Sequence, residues 1–382
     1  MRGRVVKPLF GGAVATLLVA LSASAQSAPG GPGVEVRADG TVATTGIFVP
    51  FSHVGLVDVS QESATDDTRA SEARTSVANR AADAFNPKAV AVANSRVEGI
   101  THLAVVPRQA GNIFAGTGLV ATTDGGFDSV VAEEAFIYAQ LGESGARAAG
   151  GSRAAAIAQL RAALREAGGE TEGEREADDA LLRPEDAALL ARAATGELPL
   201  VVAVERAADL MQLVRLKRAR PELDLIALGA AEGWQVADAL AGAGVKVMID
   251  PHDNLPDGFD SVGARIDNAL ILDRAGVDYA FTTASADLTH NVRVLPQHAG
   301  NAVGEGLAWP KAWAAITTTP ARWFGVDLSD TQVVWDGDPL EVTSRPVSVR
   351  IGGEAVPLRS RQIALRERYL PNPEDARAHK YR

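Results

Sequence analysis

Leu198-Pro199-Leu200-Val201-Val202-Ala203-Val204 is an unbroken apolar run rich in valine, and the residues after it are helical in pattern. A strand without polar alternation is one buried on both faces. Ala208, Leu210, Met211, Leu213, Val214 and Leu216 then recur at the spacing of one helix face, and Pro221 stops them. The pattern continues as a strand at 223–228, a helix at 233–243, a strand at 245–249, a helix from about 259 to 275 and a strand at 277–282. This alternation predicts a parallel sheet with right-handed crossovers. Working outward, strands at 47–51, 100–106, 119–123 and, weakly, 136–141 bring the set to eight. The expected fold class is α/β, a (β/α)8 TIM-type barrel. A doubly wound sheet is the structural alternative, although no G-x-G-x-x-G follows a first strand and no G-x-x-x-x-G-K-[ST] occurs.

The flanks read differently. Residues 1–25 have the form of a signal peptide: Arg2, Arg4 and Lys7, an apolar stretch from Leu9 to Leu21, and Ala23-Ser24-Ala25 as a cleavage site. The apolar stretch is too short to span about 30 Å of hydrocarbon, so the expected product has no membrane insertion after signal removal and is periplasmic or secreted. Residues 26–40, rich in Gly and Pro, are expected to be a flexible tether. The barrel is expected over 41–326, with a helical insertion at 146–196 in which Ser152 caps one helix and Pro184-Glu185-Asp186 opens another. From 327 to 382 the pattern becomes alternating strands around a Gly352-Gly353 turn, a small C-terminal β appendix and a tail.

Of 382 residues, 22% are charged and 46% hydrophobic, with no Cys and a net charge of -11. Zero Cys removes thiol nucleophiles, zinc-thiolate sites, iron-sulfur clusters and disulfides. The acidic balance, with no basic run interleaved with aromatics, argues against a nucleic-acid partner and leaves a small-molecule substrate or ligand. A homo-oligomer, or association with an active relative, is a further possible partnership.

In a parallel αβ barrel, side chains that act on substrates stand just beyond the carboxyl ends of the strands. That rule selects His53 and Asp58, Arg108 and Gln109, Glu205 and Arg206, Glu232 and Trp234, then Asp250, His252 and Asn254, and finally Asp287, His290, Asn291 and Arg293. From these, His53, Glu232, His252, Asp287 and His290 are the candidate catalytic residues, with Arg108, Asn254 and Arg293 as substrate-binding candidates. At least two of His53, His252 and His290 are expected to face one cavity. The blander reading of any one of them is a helix cap, a turn or a loop ion pair. His102, inside a strand, reads as a core histidine, and His298 and His379 as unremarkable.

Residues 99–107 (Gly-Ile-Thr-His-Leu-Ala-Val-Val-Pro), Ala230-Ala231-Glu232-Gly233-Trp234, Asn254-Leu255-Pro256, Thr319-Pro320-Ala321-Arg322-Trp323-Phe324-Gly325 and Val333-Val334-Trp335-Asp336-Gly337-Asp338 resemble the amidohydrolase superfamily. Its periplasmic, imidazolonepropionase-like and dipeptidase-like members are the most similar. The resemblance implies a hydrolase acting on non-peptide or cyclic C-N (amide) bonds, with zinc or manganese as cofactor. It also implies ligands at set places: an H-x-H pair after the first strand, a His after the fifth and the sixth, and an Asp after the eighth. Here those places hold Phe51 and His53, Ala203, Gly229, and Thr282-Thr283-Ala284-Ser285. Only His53 survives as a metal ligand, and one imidazole does not hold an ion that needs three or four donors. Metal binding is therefore expected to be weak or absent. Two functions follow, a hydrolase with a depleted metal site or a catalytically inactive barrel that binds a ligand or an active relative. Only the C-terminal half of the superfamily's β-sandwich is expected.

Overall fold

The computed structural model describes residues 28–59, 61–70, 73, 76–170, 180–284 and 288–370. The expected signal peptide and His379 lie outside the described residues. Two sheets organise the rest. The larger has eight strands: β3 (Ile47–Ser52), β4 (Ile100–Val105), β5 (Phe114–Thr122), β6 (Val130–Gln140), β7 (Leu200–Val204), β8 (Leu225–Gly229), β9 (Lys246–Ile249) and β10 (Tyr279–Phe281), in that order across the sheet.

From β6 to β10 every pairing is parallel, as the strand and helix rhythm requires. The crossovers include helices Ala207–Ala219, Ala237–Ala243 and Asn268–Arg274. The helix expected from about 259 begins only at Asn268. Ser261 Oγ donates to Asp257 Oδ1 and accepts from the Gly258 amide, a local turn that competes with the helix ladder.

The expectation of an all-parallel closed barrel needs two corrections. First, β5 runs antiparallel to both β4 and β6. Only the short link 123–129 joins β5 to β6, and a parallel crossover needs a dozen or more residues, so the chain turns back as a hairpin. Second, β10 and β3 form no ladder, so the barrel is nearly closed. Their seam is bridged by the returning chain: Phe48 N–H donates to Ile316 O at 2.9 Å and His53 N–H to Leu288 O at 3.0 Å.

Alternation along the strands sorts the core into two layers. Phe48, Phe51, Ala104, Val106, Val120, Phe136, Tyr138, Val201, Ile226, Leu228, Met248 and Ala280 fill the barrel. Val49, Leu103, Val202, Ala227 and Val247 face outward, into the same core as helix residues Leu160, Leu213, Leu240 and Leu272. In the insertion Ser152 Oγ accepts from Ala155 N–H at 3.1 Å and Pro184 opens the helix Pro184–Ala194, as their types require.

The second sheet is antiparallel, in the order β1 (Val34–Val36), β2 (Val42–Thr44), β11 (Gln332–Trp335), β12 (Pro346–Ile351) and β13 (Glu354–Ala355). This corrects the reading of 26–40 as tether throughout and of the appendix as purely C-terminal. Val333 pairs with Thr44 and Trp335 with Val42, so the N-terminal segment completes the sheet. The signal missed was the Asp39-Gly40 turn, where Asp39 Oδ1 accepts from the Thr41 amide at 3.0 Å. Among the described residues no helix is long and apolar enough to cross a membrane.

Candidate functional site

Strand register fixes which side chains share a level inside the barrel. Ala203 pairs with Leu228, Leu228 with Met248, and Met248 with Ala280, all on the inner face. Two residues further along, alternation turns Glu205, Asp250 and Thr282 toward the same side at the carboxyl ends of β7, β9 and β10, whereas the chain after β8 leaves the extended form at Gly229 (φ +95) and Ala230 (φ +50), and Ala230 packs in the outer core. The sixth-strand side chain that faces inward is Leu228, so Gly229 lies beside the inner row rather than in it. Across the mouth, Phe51 of β3 packs edge-on against Tyr138 of β6 with ring centroids 4.9 Å apart, and His53 follows Phe51.

Glu205 is the best-defined member of this polar level. Its Oε2 accepts from the Ala231 amide at 2.9 Å, and its carboxyl group fills the space beside Gly229. A Cβ on Gly229 would lie 2.1 Å from Glu205 Oε1, and Gly229 has φ +95, a backbone that favours glycine. Burial pushes the Glu205 carboxyl up to about 8 against the lowering effect of the Ala231 N–H, and the charges of Asp253, Asp257 and Asp260 add to the rise. Burial, with the Glu205 charge behind it, also raises the Tyr138 phenol. Asp253 is pushed up to about 6 by burial and by Asp257 and Asp250.

Asp250 is buried, and its Oδ1 accepts from His298 Nδ1 at 2.8 Å and from the His252 amide at 3.0 Å. The His252 ring lies 5.1 Å from that of His298, and Asn301 Nδ2 donates to His252 Nδ1 at 3.1 Å. A buried imidazole held by a carboxylate has a fixed ring and one defined tautomer, the arrangement a general base requires.

The candidate residues chosen from sequence are distributed unevenly. His53 is buried at the end of β3, and its Nδ1–H donates to Val106 O at 2.6 Å. His252 is exposed and joins the Asp250 and His298 pair. Glu232 takes the bland role: its Oε2 accepts from the Ala207 amide at 2.9 Å and so caps the helix Ala207–Ala219. His290 is half-buried with its Nδ1 bonded to the Thr289 hydroxyl. Arg108 borders a cavity of about 100 Å³ with Ser76, Asn79 and Asn112. Arg293 is exposed and its charge acts on Glu98, which precedes β4 at the opposite end of the barrel. Asn254 is exposed on the loop after β9, and Asp287 lies outside the described residues. His102 is the core histidine expected, bonded to Thr101 Oγ1 and driven down to about 4 by burial.

Glu205 stands among the residues beyond the strand ends without being one of the candidate catalytic residues, and the reading of His298 as unremarkable is corrected by its bond to Asp250. For Glu205 the available signal was position: Val201, Ala203 and Glu205 occupy one face of a strand. For His298, on the helix Leu295–Gly304, no local pattern points 48 residues back to Asp250.

Among the described residues, no three His, Cys, Asp or Glu side chains are grouped so as to hold a metal ion. No family model and no curated protein matches the sequence. Among solved structures, an amidohydrolase from Thermotoga maritima MSB8 is similar over 87% of this chain and 91% of its own, with TM-score 0.72 and 19% identity. At that identity the likeness establishes the fold. Two looser likenesses carry no argument. A prolidase complexed with N-methylphosphonate-L-proline covers 86% of this chain and 90% of its own (TM-score 0.47, 14% identity). An N-isopropylammelide isopropylaminohydrolase from Burkholderia multivorans ATCC 17616 covers the same shares at TM-score 0.45 and 15% identity.

Proposed function

We propose that this chain is an exported member of the amidohydrolase superfamily whose metal centre is depleted, and that it binds a small ligand at the carboxyl-end mouth of the barrel. What supports this reading is the set of side chains found at the places where the resemblance puts the superfamily's ligands. Phe51 packs on Tyr138 where a first histidine would stand, Ala203 and Leu228 are apolar, and the Glu205 carboxyl occupies the space beside Gly229. His53 remains, its ring set by the Val106 carbonyl, but a single imidazole does not fit the superfamily's centre. No step is therefore routed through a metal.

A second reading, hydrolysis of a C-N bond without metal, is favoured by one feature. The mouth sets a carboxyl titrating near 8, Glu205, in the same polar level as the Asp250 carboxylate that orients His298. Two groups whose environments separate their protonation states are what acid and base roles need. In this reading His298 would take a proton from water while Glu205 donates one to the leaving nitrogen.

Export, a periplasmic location and association with an active relative belong to the same proposal and rest on the sequence features described above. The experiment compares the mature protein treated with chelator against the same protein supplied with zinc or manganese, on a panel of N-acyl amino acids and cyclic amides. Binding without turnover in both states supports the binding reading. Turnover equal in both, lost in His298→Gln, supports the second. Turnover only with added metal overturns both.

A further inference from the structure

Thr282 is completely buried, and its Oγ1 has no hydrogen-bond partner among the described residues. An orphaned hydroxyl in a buried site carries a desolvation cost of about 1–3 kcal/mol unless something satisfies it. Phe281 pairs with Ile249, so Thr282 stands level with Asp250, and its amide donates to Ile249 O at 2.9 Å. Ala280 and Met248, two residues earlier, are both inside the barrel, which carries Thr282 and Asp250 to the inner side together.

The carboxyl groups beyond the strand ends are unevenly matched. Asp260 and Asp209 are matched by Arg153, and Asp250 by His298 when that ring is protonated. Neither Glu205 nor Asp253 has a cationic partner among the described residues, and Asp253 feels Asp257 and Asp250 as like charges. Both are half-buried, and an ionised carboxyl in such a place gains from a cationic partner. A ligand that brought a positive charge and several N–H donors would favour ionisation of the Glu205 carboxyl and satisfy the Thr282 oxygen, whereas an anion would be disfavoured beside the carboxyl groups.

We propose that Glu205, Asp250 and the unpartnered Thr282 hydroxyl form a subsite for the ammonium group of a ligand, an inference that rests on reading the mouth as a binding site. An ammonium has three donors. Here they are matched by the carboxyls of Glu205 and Asp250 and by the Thr282 oxygen.

The test uses the mature protein and three probes of one length: 1,4-diaminobutane, butane-1,4-diol and succinate, titrated at constant ionic strength and followed by calorimetry. The diamine should bind, and the diol and succinate should bind at least tenfold more weakly. Thr282→Val, close in shape but lacking the hydroxyl, should weaken the diamine about tenfold, and Thr282→Ser should restore it. Glu205→Gln should weaken it as well. If the diol or succinate binds as well as the diamine and Thr282→Val abolishes that binding, the mouth is a binding site but the ammonium inference is wrong. If the diamine binds and Thr282→Val leaves its affinity unchanged, the subsite is overturned. If none of the probes binds, the inference also fails, and the reading of the mouth then rests on the amide panel alone.

Discussion

Replacing Glu205 by Gln should stabilise the protein increasingly as pH rises. In the folded state the carboxyl holds its proton up to about 8, whereas its ordinary pKa is 4.5. Between those values the unfolded chain binds fewer protons at this site than the folded one, so stability falls as pH rises. The contribution is fully present below pH 4.5, is lost progressively up to about pH 8, and does not change further above it. One pH unit corresponds to about 1.4 kcal/mol, so from pH 5 to pH 8 the penalty accumulates to on the order of 4 kcal/mol. Gln retains the side-chain oxygen that accepts from the Ala231 amide and cannot ionise. The assay is urea unfolding of wild type and Glu205→Gln at pH 5, 6.5 and 8, read as the difference between the two proteins so that other titrating groups cancel. That difference should be near zero at pH 5 and reach on the order of 4 kcal/mol in favour of Gln at pH 8. A difference independent of pH would refute the placement of a protonated carboxyl in the barrel mouth.

Other outcomes follow from the same contacts. Gly229→Ala should cost more than about 2 kcal/mol, because the new methyl meets Glu205 Oε1 at 2.1 Å and the backbone there has φ +95; adding Glu205→Ala should recover the steric part only, as thermal melting will report. His298→Ala should cost about 1.5–3 kcal/mol by removing a buried bond to a carboxylate, whereas His252→Ala, at an exposed ring, should change stability little in the same melts. Glu232→Ala should lower stability by about 1 kcal/mol through the lost cap on the helix Ala207–Ala219 without altering ligand affinity, and an effect on affinity alone would return Glu232 to the site.

The second half of the barrel was legible because β7 to β10 follow one rule. Each is a short apolar run, and Pro221, Gly244 and Gly276 mark where the helices between them stop. The first half follows no such rule. Phe114–Thr122 and Val130–Gln140 form a hairpin whose antiparallel sense is set by the shortness of 123–129, and reading only 119–123 and 136–141 as strands hid that constraint. The N-terminal strand Val34–Val36 was invisible for another reason: it has only three residues, and the short hairpin it makes with Val42–Thr44 is stabilised by strands about 300 residues away. At the site, position beyond the strand ends found His53 and His252 because that depends on local pattern alone. Pairings such as His298 with Asp250 depend on how helix Leu295–Gly304 returns over the mouth, and nothing local to residue 298 encodes it.

Metal stoichiometry tests the central claim most directly. On the proposed reading, in which Phe51, Ala203, Leu228 and Ala284 take the places of the superfamily's ligands, the mature protein, incubated with excess zinc or manganese and then dialysed, should retain well under one ion per chain by elemental mass spectrometry. Two tightly retained ions per chain would contradict the account and would place this barrel among the metal-dependent hydrolases.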